Sequence, residues 1–354
     1  MDGNPEYLEY YGALSHLRTE ISRRRFPIEE GEESYLSLHG MSPYEVDLII
    51  ISNAKFLRRN GDKTQVFYKP SNAHVRTRLN HMVEVANIGL TMSHILGLNK
   101  QLTYAGGLGH DGGHTPFGHM GESFLQNKTG KHFHHAVFGV IVCQKIERKG
   151  LGLNLTNQTL SLILNHSSGV GTNLAIPQQV VSEGKILMLA DKIAYIWSDI
   201  NDIQRFNPEI IVNHKQLAES AEWFGKNQRE RVQKTIIEVC KESAEHKQVS
   251  FSTSEAAQRF AELKEMLYQL YYQFDFRDFK LMDMVYDELG RLEKQIDPTI
   301  LFALISDAEA MDIYRRLEKG DYLNKTDLNH YSIGDMIPYL REKKIDFTDP
   351  DMDW

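Results

Sequence analysis

The chain has 354 residues, which at roughly 150 residues per domain accommodates about two domains or one large helical one. Hydrophobic residues make up 41% and charged residues 25%, with 25 Gly and 10 Pro, an ordinary globular composition that excludes collagen-like, mucin-like and wholly disordered chains. Lys and Arg number 40 against 48 Asp and Glu, so the net charge of −8 gives no general pull toward nucleic acid, while a local basic patch could still take polyphosphate.

The N-terminus, Met-Asp-Gly-Asn-Pro-Glu-Tyr, is acidic and polar, whereas a secretory signal starts basic and turns apolar. The longest apolar runs, residues 48–51 and 186–190, fall far short of the roughly 18 residues of a membrane span, so a cytoplasmic protein with no membrane partner is expected. After an N-terminal extension over 1–41, apolar residues recur at three and four positions through 44–58, 79–97, 135–149, 158–165, 183–203, 215–245, 255–293 and 298–319. That spacing predicts helices, strand-like alternation is scarce, and the fold class is all-α. Ser42-Pro43 marks the first helix start, and Ser252-x-x-Glu255 reads as a capping box before the long helix 255–293. Residues 60–78 carry Lys63, Lys69, Arg76 and Arg78 around a short turn that suits a phosphate-facing loop. The Gly-x-Gly within 166–178 is weak, because it has neither a strand before it nor a third glycine. Cys143 and Cys240 form no CxxC and read as packed thiols, and the acidic end from Asp346 to Trp354 reads as a frayed tail.

Histidine is distributed unevenly. Nine of the 15 (His74, His81, His94, His110, His114, His119, His132, His134 and His135) fall between residues 74 and 135, where even scatter would place about two or three. Imidazole is a common transition-metal ligand and the usual acid or base near neutral pH, so a metal-dependent hydrolytic centre is the first candidate. The sharpest segment runs from Gly109 through His110-Asp111-Gly112-Gly113-His114 to His119 and Glu122. Adjacent His and Asp can reach one cation where the chain turns at a helix end, and the flanking glycines permit close backbone approach. His81 opens a helix whose apolar face is Val85, Ile88, Met92 and Leu96. Asp191 lies in the apolar run 186–197, and at 100° per residue Asp191, Tyr195, Asp199 and Asp202 share one stripe about 80° wide. A carboxylate buried there needs a cation, either Lys192 beside it or a metal, the latter leaving Lys192 for an anionic substrate.

His81, His110-Asp111 and Asp191 together resemble the H…HD…D pattern of the HD-domain metal phosphohydrolases. The blocks Asp62-Lys-Thr-Gln-Val-Phe67, Val75 to Gly89, His110 to Glu122 and Leu189-Ala-Asp-Lys-Ile-Ala-Tyr195 resemble the deoxyguanosine triphosphate triphosphohydrolase branch, with weaker likeness across most of 42–317. The resemblance implies an HD-domain helical bundle over 42–210, with additional C-terminal helices over 211–354 completing the substrate pocket. It implies His81, His110, Asp111 and Asp191 as ligands of a divalent metal such as Mn²⁺ or Mg²⁺. His114, His119, Glu122 and His135 match side chains around the α-phosphate, with His119 and Glu122 as the acid/base relay. Gln65 and Arg78 match groups contacting sugar and phosphates, Lys192 a phosphate-binding lysine, and Tyr195 and Asp199 groups near the deoxyribose. Lys264 and Tyr272 match a phosphate contact and a sugar-packing tyrosine. His134-His135-Ala136 stands where the family usually reads Glu-His-Asn, and Gly112 where an aliphatic residue is usual.

The implied reaction converts a dNTP, dGTP favoured, to deoxynucleoside and inorganic triphosphate in a homo-oligomer, nucleic acid being at most regulatory. The alternatives are an HD phosphohydrolase acting on nucleoside monophosphates, cyclic dinucleotides or an alarmone, and a nucleotide-sensing or nucleic-acid-binding module without catalysis. The blocks at 62–67 and 191–195 disfavour the first of these, and the complete ligand set disfavours the second.

Overall fold

The computed structural model describes residues 10–28, 39–65, 74–168, 180–206, 215–271 and 279–354. Among these residues there are fifteen α-helices and no strand; Arg24 with Thr156 and Thr64 with Thr77 form isolated bridges. The all-α expectation holds.

Helix α1 (Pro43–Asn53) starts where Ser42-Pro43 predicts. The Ser42 hydroxyl accepts from the Glu45 N–H at 3.3 Å, and the Glu45 carboxylate accepts from the Ser42 N–H at 2.7 Å. After α2 (Lys55–Arg59) come α3 (Arg78–Leu96) and α4 (Lys100–Gly109). The spacing pattern misses α4, whose three glycines lower helix propensity. Packing explains them: α3 and α4 lie in extensive contact, and a methyl added at Gly107 would stand 2.6 Å from the Ala86 Cα. Helix α5 (His119–Thr129) is also missed, its sequence being mostly polar. Then follow α6 (His135–Ile141), which passes into a π turn over Val142–Ile146, α7 (Asn157–Asn165) and α8 (Ser182–Phe206).

Three predicted helices divide, the first being 44–58, which breaks into α1 and α2 at the extended Ala54. Residues 215–245 break into α9 (Lys215–Phe224) and α10 (Gln228–Glu245), because Gly225 takes a φ of 153° and the Asn227 side chain caps α10 by accepting from the Glu230 N–H at 3.0 Å. Next are α11 (Glu255–Tyr271) and α12 (Phe279–Leu292), residues 272–278 of the predicted long helix lying outside the described residues. Residues 298–319 break into α13 (Pro298–Leu304) and α14 (Asp307–Glu318), since Ser306 and Glu309 form a capping box. A short α15 (Ile337–Leu340) ends the series.

Two hydrophobic cores flank α3 and α4, which contribute to both. One gathers Phe56, Phe124, Phe138, Met282 and Phe302; the other gathers Met92, Ile186, Trp197, Phe224 and Phe260. Helices α12 to α14 close the first and α9 to α11 the second. The C-terminal end is not frayed: Phe347 is buried in the first core, Gln144 Nε2 donates to the Pro350 carbonyl at 2.6 Å, and Arg23 stands 5.8 Å from the Trp354 ring. Both cysteines are buried thiols, as expected, and burial pushes Cys240 up to about 12. No helix is long and apolar enough to cross a membrane among the described residues.

The predicted cap at Ser252 sits two residues early. The Ser254 hydroxyl accepts from the Ala257 N–H at 3.2 Å, while the Ser252, Thr253 and Ser254 N–H groups donate to Glu242 of α10 at 2.6, 3.2 and 3.1 Å. Burial raises the Glu242 pKa, but the hydrogen bonds from Ser254, Ser252 and Ser250 outweigh it and bring the carboxyl down to about 2. A depressed carboxyl stabilises the fold above its unfolded pKa and loses that contribution as pH falls through the folded value. Glu242→Gln is therefore expected to cost about 2–3 kcal/mol at pH 6, measured by urea unfolding. The gap from wild type should narrow by about 1.4 kcal/mol for each pH unit below the unfolded-state pKa. A gap independent of pH would contradict the assignment.

Candidate metal centre and active site

His81 lies in the first turn of α3, His110 and Asp111 directly follow α4, and Asp191 lies within α8. Packing of α3 on α4 and α8 brings these side chains together. His81 Nε2 stands 2.9 Å from Asp191 Oδ1 and 3.8 Å from Asp111 Oδ2. His110 Nε2 stands 3.4 Å from Asp111 Oδ1 and 3.9 Å from Asp191 Oδ1. Donor atoms each about 2.1 Å from a common ion lie about 3.0 to 4.2 Å apart, so these separations fit one cation. The His110 Nδ1–H donates to the Gly107 carbonyl at 2.8 Å, which leaves the Nε2 lone pair facing inward, and Nε2 is buried without a hydrogen-bond partner. Burial lowers the His110 pKa to about 4, which keeps the ring in its neutral, ligating form. Burial would raise the Asp191 carboxyl, but the His81 hydrogen bond and charge hold it well below the usual range. His81, His110 and Asp111 bring their donor atoms close enough for one divalent ion, and the Asp191 carboxylate joins them through His81 at 2.9 Å, so the residues present fit one.

Asp111 carries a second set of neighbours. Arg78 Nη1 stands 2.5 Å from Oδ2, while His114, His166 and His135 present Nε2 to Oδ1 at 3.3, 3.5 and 3.9 Å. Beyond them, Glu122 Oε1 is approached by the Nδ1 atoms of His114, His119 and His135 at 3.0, 3.1 and 3.0 Å. The His114 and His135 rings stack with centroids 3.9 Å apart. Burial drives their pKa values down to about 3 and about 4, so both are neutral. His119 differs, with 77% of its side chain exposed. Desolvation lowers its pKa, but Glu122 outweighs this and the net direction is upward. Burial opposes charge on Glu122 as well, and His135 and His119 overcome it, leaving that carboxyl ionised well below its usual range.

The connection between α4 and α5 is shaped to hold this cluster. A methyl on Gly113 would overlap the Gly139 nitrogen and the His135 carbonyl, so glycine is required for α6 to approach. Phe117 and Gly118 turn the chain at φ 61° and 59°. For Phe117 that left-handed conformation is costly, and Asp307 at the start of α14 fixes it by accepting the Phe117 N–H at 3.0 Å and the Thr64 N–H at 3.0 Å. At Gly112 a methyl would stand 2.8 Å from the Phe56 ring, which fills the space an aliphatic residue would take. His134 caps α6, its Nδ1 accepting from the Ala136 N–H at 3.2 Å.

The remaining predicted residues distribute as follows. Arg78 is in the cluster, and Gln65 lies at its margin, where Gln65 and Arg78 both border Gly118. Lys192 and Lys264 are buried beside Asp191; burial lowers both pKa values, and Lys192 adds to the shift that brings Lys264 down to about 8. Lys192 Nζ donates to the Met188 carbonyl at 3.4 Å rather than pairing with Asp191. Tyr195 meets Tyr268 edge-on with ring centroids 6.4 Å apart, and Lys264 Nζ lies 5.7 Å from the Tyr268 ring. Asp199 is buried in an ion pair with Arg76, which also binds Asp202 at 3.1 Å and Glu84 at 2.6 Å. Arg76 is thus not phosphate-facing, and Lys63 is not either: its ammonium is buried and donates to the His114 and Ala303 carbonyls. Tyr272, Lys69 and the Gly-x-Gly lie outside the described residues. His166, which the sequence leaves open between the far wall of the site and a loop cap, enters the site, and so does Tyr268, which opens an aromatic run that reads as core packing.

The HD domain family matches residues 78–196, the span that holds all four ligand candidates. Among relatives called deoxyguanosinetriphosphate triphosphohydrolase-like protein, one from Clostridium perfringens strain 13 is 33% identical over 292 residues, covering 80% of this chain and 81% of the relative. One from Desulfatibacillum aliphaticivorans is 38% identical over 64% of this chain and 65% of its own length. One from Caldanaerobacter subterraneus subsp. tengcongensis is 44% identical over 44% of each. The match thus spans less than two thirds of the latter two relatives. By its HD domain and by this similarity, the chain belongs to the HD-domain deoxyguanosinetriphosphate triphosphohydrolase-like family.

Proposed function

We propose that the protein hydrolyses a deoxynucleoside triphosphate, dGTP first among them, to the deoxynucleoside and inorganic triphosphate. One juxtaposition carries this reading: at Asp111 the ligand candidates His81 and His110 and the Glu122-bound histidines His114 and His135 all stand within 4 Å of its two oxygens. His81, His110, Asp111 and Asp191 would hold a divalent ion such as Mn²⁺ or Mg²⁺, which would supply Lewis acidity toward a phosphoryl oxygen and lower the pKa of water.

The chain's own residues do the rest. Water attacks the α-phosphorus, the bond to O5′ breaks, and O5′ takes a proton as it leaves. His119 is the donor suited to this: it is exposed, its Nδ1–H is oriented by Glu122, and Glu122 favours its charged form. His114 and His135, neutral and stacked, contact the α-phosphate without competing for charge. Lys192 and Lys264 are held together in a dry wall that disfavours their charge, and a triphosphate relieves that cost; Arg78 adds a third cation. Gln65 and Tyr195 serve the sugar side in this reading, where a tyrosine ring favours a ribose without a 2′-hydroxyl, while Asp199, held by Arg76, is not free to do so. The relatives' shared name speaks for dGTP among the bases.

Incubating metal-loaded protein with each of the four dNTPs and with GTP, and separating products by chromatography, should show deoxynucleoside plus intact triphosphate. Asp111→Ala should be inactive, and His119→Ala should lower kcat by about 10²–10⁴-fold. Monophosphate and pyrophosphate as products, or an active Asp111→Ala, would contradict the assignment.

The relay makes a separate prediction. In Glu122→Gln the charge that favours His119 protonation is gone, so NMR titration of histidine-labelled protein should find His119 deprotonating at lower pH than in wild type. An unchanged titration would remove Glu122 from the relay.

A further inference from the structure

Asp62, Lys63 and Thr64 each bond to the end of α13 or the start of α14, far along the chain. The Asp62 carboxylate accepts from the Ser306 hydroxyl at 2.6 Å and from the Ala308 N–H at 3.3 Å. The Lys63 ammonium bridges the Ala303 carbonyl, at 3.0 Å, and the His114 carbonyl. The Thr64 N–H, at 3.0 Å, and the Thr64 hydroxyl both donate to Asp307 Oδ2, while Oδ1 accepts the Phe117 N–H at 3.0 Å. Asp307 is buried, so water does not compete for either oxygen. Phe117 stands two residues before His119, and Thr64 one residue before Gln65. The turn at Phe117 and Gly118 is left-handed at both residues, a conformation that a phenylalanine keeps only when its surroundings hold it. The Gln65 side-chain oxygen is buried without a hydrogen-bond partner among the described residues, which leaves it for a ligand. Helix α14 is a firm base for this bracket: Ser306 and Glu309 cap its start, and Ala310 and Ile313 are seated in the first core.

We infer that Asp307 is a positioning residue: its two oxygens set the proton donor His119 and the sugar contact Gln65 at a fixed separation, so that α14 governs the active site through one carboxylate. The inference rests on the proposed function for the roles of His119 and Gln65. Asp307 itself touches neither substrate nor reacting atoms. A carboxylate is the group this place requires, because both neighbours present N–H donors and each oxygen must accept. An asparagine offers one oxygen and turns its own N–H groups against the other donor. Release of the Phe117 turn would carry His119 away from Glu122 and from the leaving oxygen, and a displacement of about 1 Å costs on the order of 10²-fold in rate. Release on the Thr64 side would move Gln65 and weaken the hold on the sugar. The rival reading, in which Asp307 only fastens α14 to the bundle, leaves both of these quantities unchanged in a folded variant.

The test compares Asp307→Asn, Thr64→Val and Thr64→Ser in the full-length chain, by steady-state dGTP hydrolysis with Mn²⁺ and by NMR titration of histidine-labelled protein, the fold being checked by near-UV circular dichroism. Asp307→Asn should lower kcat by about 10²-fold and make His119 deprotonate at lower pH than in wild type, as the Glu122 charge recedes from it. Thr64→Val, which loses only the hydroxyl bond, should raise KM for dGTP with a smaller effect on kcat, and Thr64→Ser, which keeps that bond, should restore the wild-type KM. A folded Asp307→Asn with wild-type kcat and an unchanged His119 titration overturns the inference. Where Asp307→Asn does not fold, the Thr64 pair decides: a wild-type KM in Thr64→Val, or no recovery in Thr64→Ser, overturns it. A wild type that releases no triphosphate from dGTP overturns the proposed function instead, and the His119 titration then judges the bracket by itself.

Discussion

Everything in this molecule is arranged around the removal of one carboxylate from water. Asp111 is 3% exposed, and an ionised carboxylate at that depth costs several kcal/mol unless positive charge or hydrogen-bond donors surround it. Arg78 faces one oxygen and a ring of imidazoles faces both. To bring those groups within reach, α3, α4, α6, α7 and α8 must converge on one point, and the close approaches fall at glycines where any side chain would collide with a neighbouring backbone. The stability given up at Gly107 and Gly113 is thus tied directly to the site.

A second buried carboxylate, Glu122, divides the labour among the histidines. One oxygen addresses three Nδ1 atoms, yet the three rings differ because their burial differs. His114 and His135, shut in the interior, stay neutral; His119, on the surface, is held toward its charged form. Environments that push similar groups apart in pKa suit them to different tasks, and here the difference in burial separates the three rings. Lys192 and Lys264 follow the same logic, being cations whose charge burial disfavours and the Asp191 carboxylate supports.

Much of this is readable from the residues. The crowding of histidine between 74 and 135, the His-Asp pair among glycines and the aspartate in an apolar helix name the ligand set without coordinates, because short-range order and residue type are enough to mark them. What escapes is what depends on partners distant in sequence. Lys63 and Arg76 look like phosphate binders in a basic loop, but carbonyls at 114 and 303 and carboxylates at 84, 199 and 202 claim them. Helix α4 is hidden by the glycines its packing demands, and the Glu242 carboxylate shifts the start of α11 to Ser254 from another helix. The acidic tail reads as frayed because nothing local says that Phe347 has a slot in the first core. For His166 the residues leave a site wall and a loop cap equally open, and the packing of α7 against α6 decides for the site.

The most direct test of the account is hydrolysis of dGTP in heavy-oxygen water, with mass spectrometry of both products. An Asp111-centred site that directs water onto the α-phosphorus places the label in inorganic triphosphate and leaves the deoxyguanosine 5′-hydroxyl unlabelled. Label in the deoxynucleoside would mean attack at carbon instead of phosphorus, and the arrangement of ligands and relay described for this site would then be serving a different reaction.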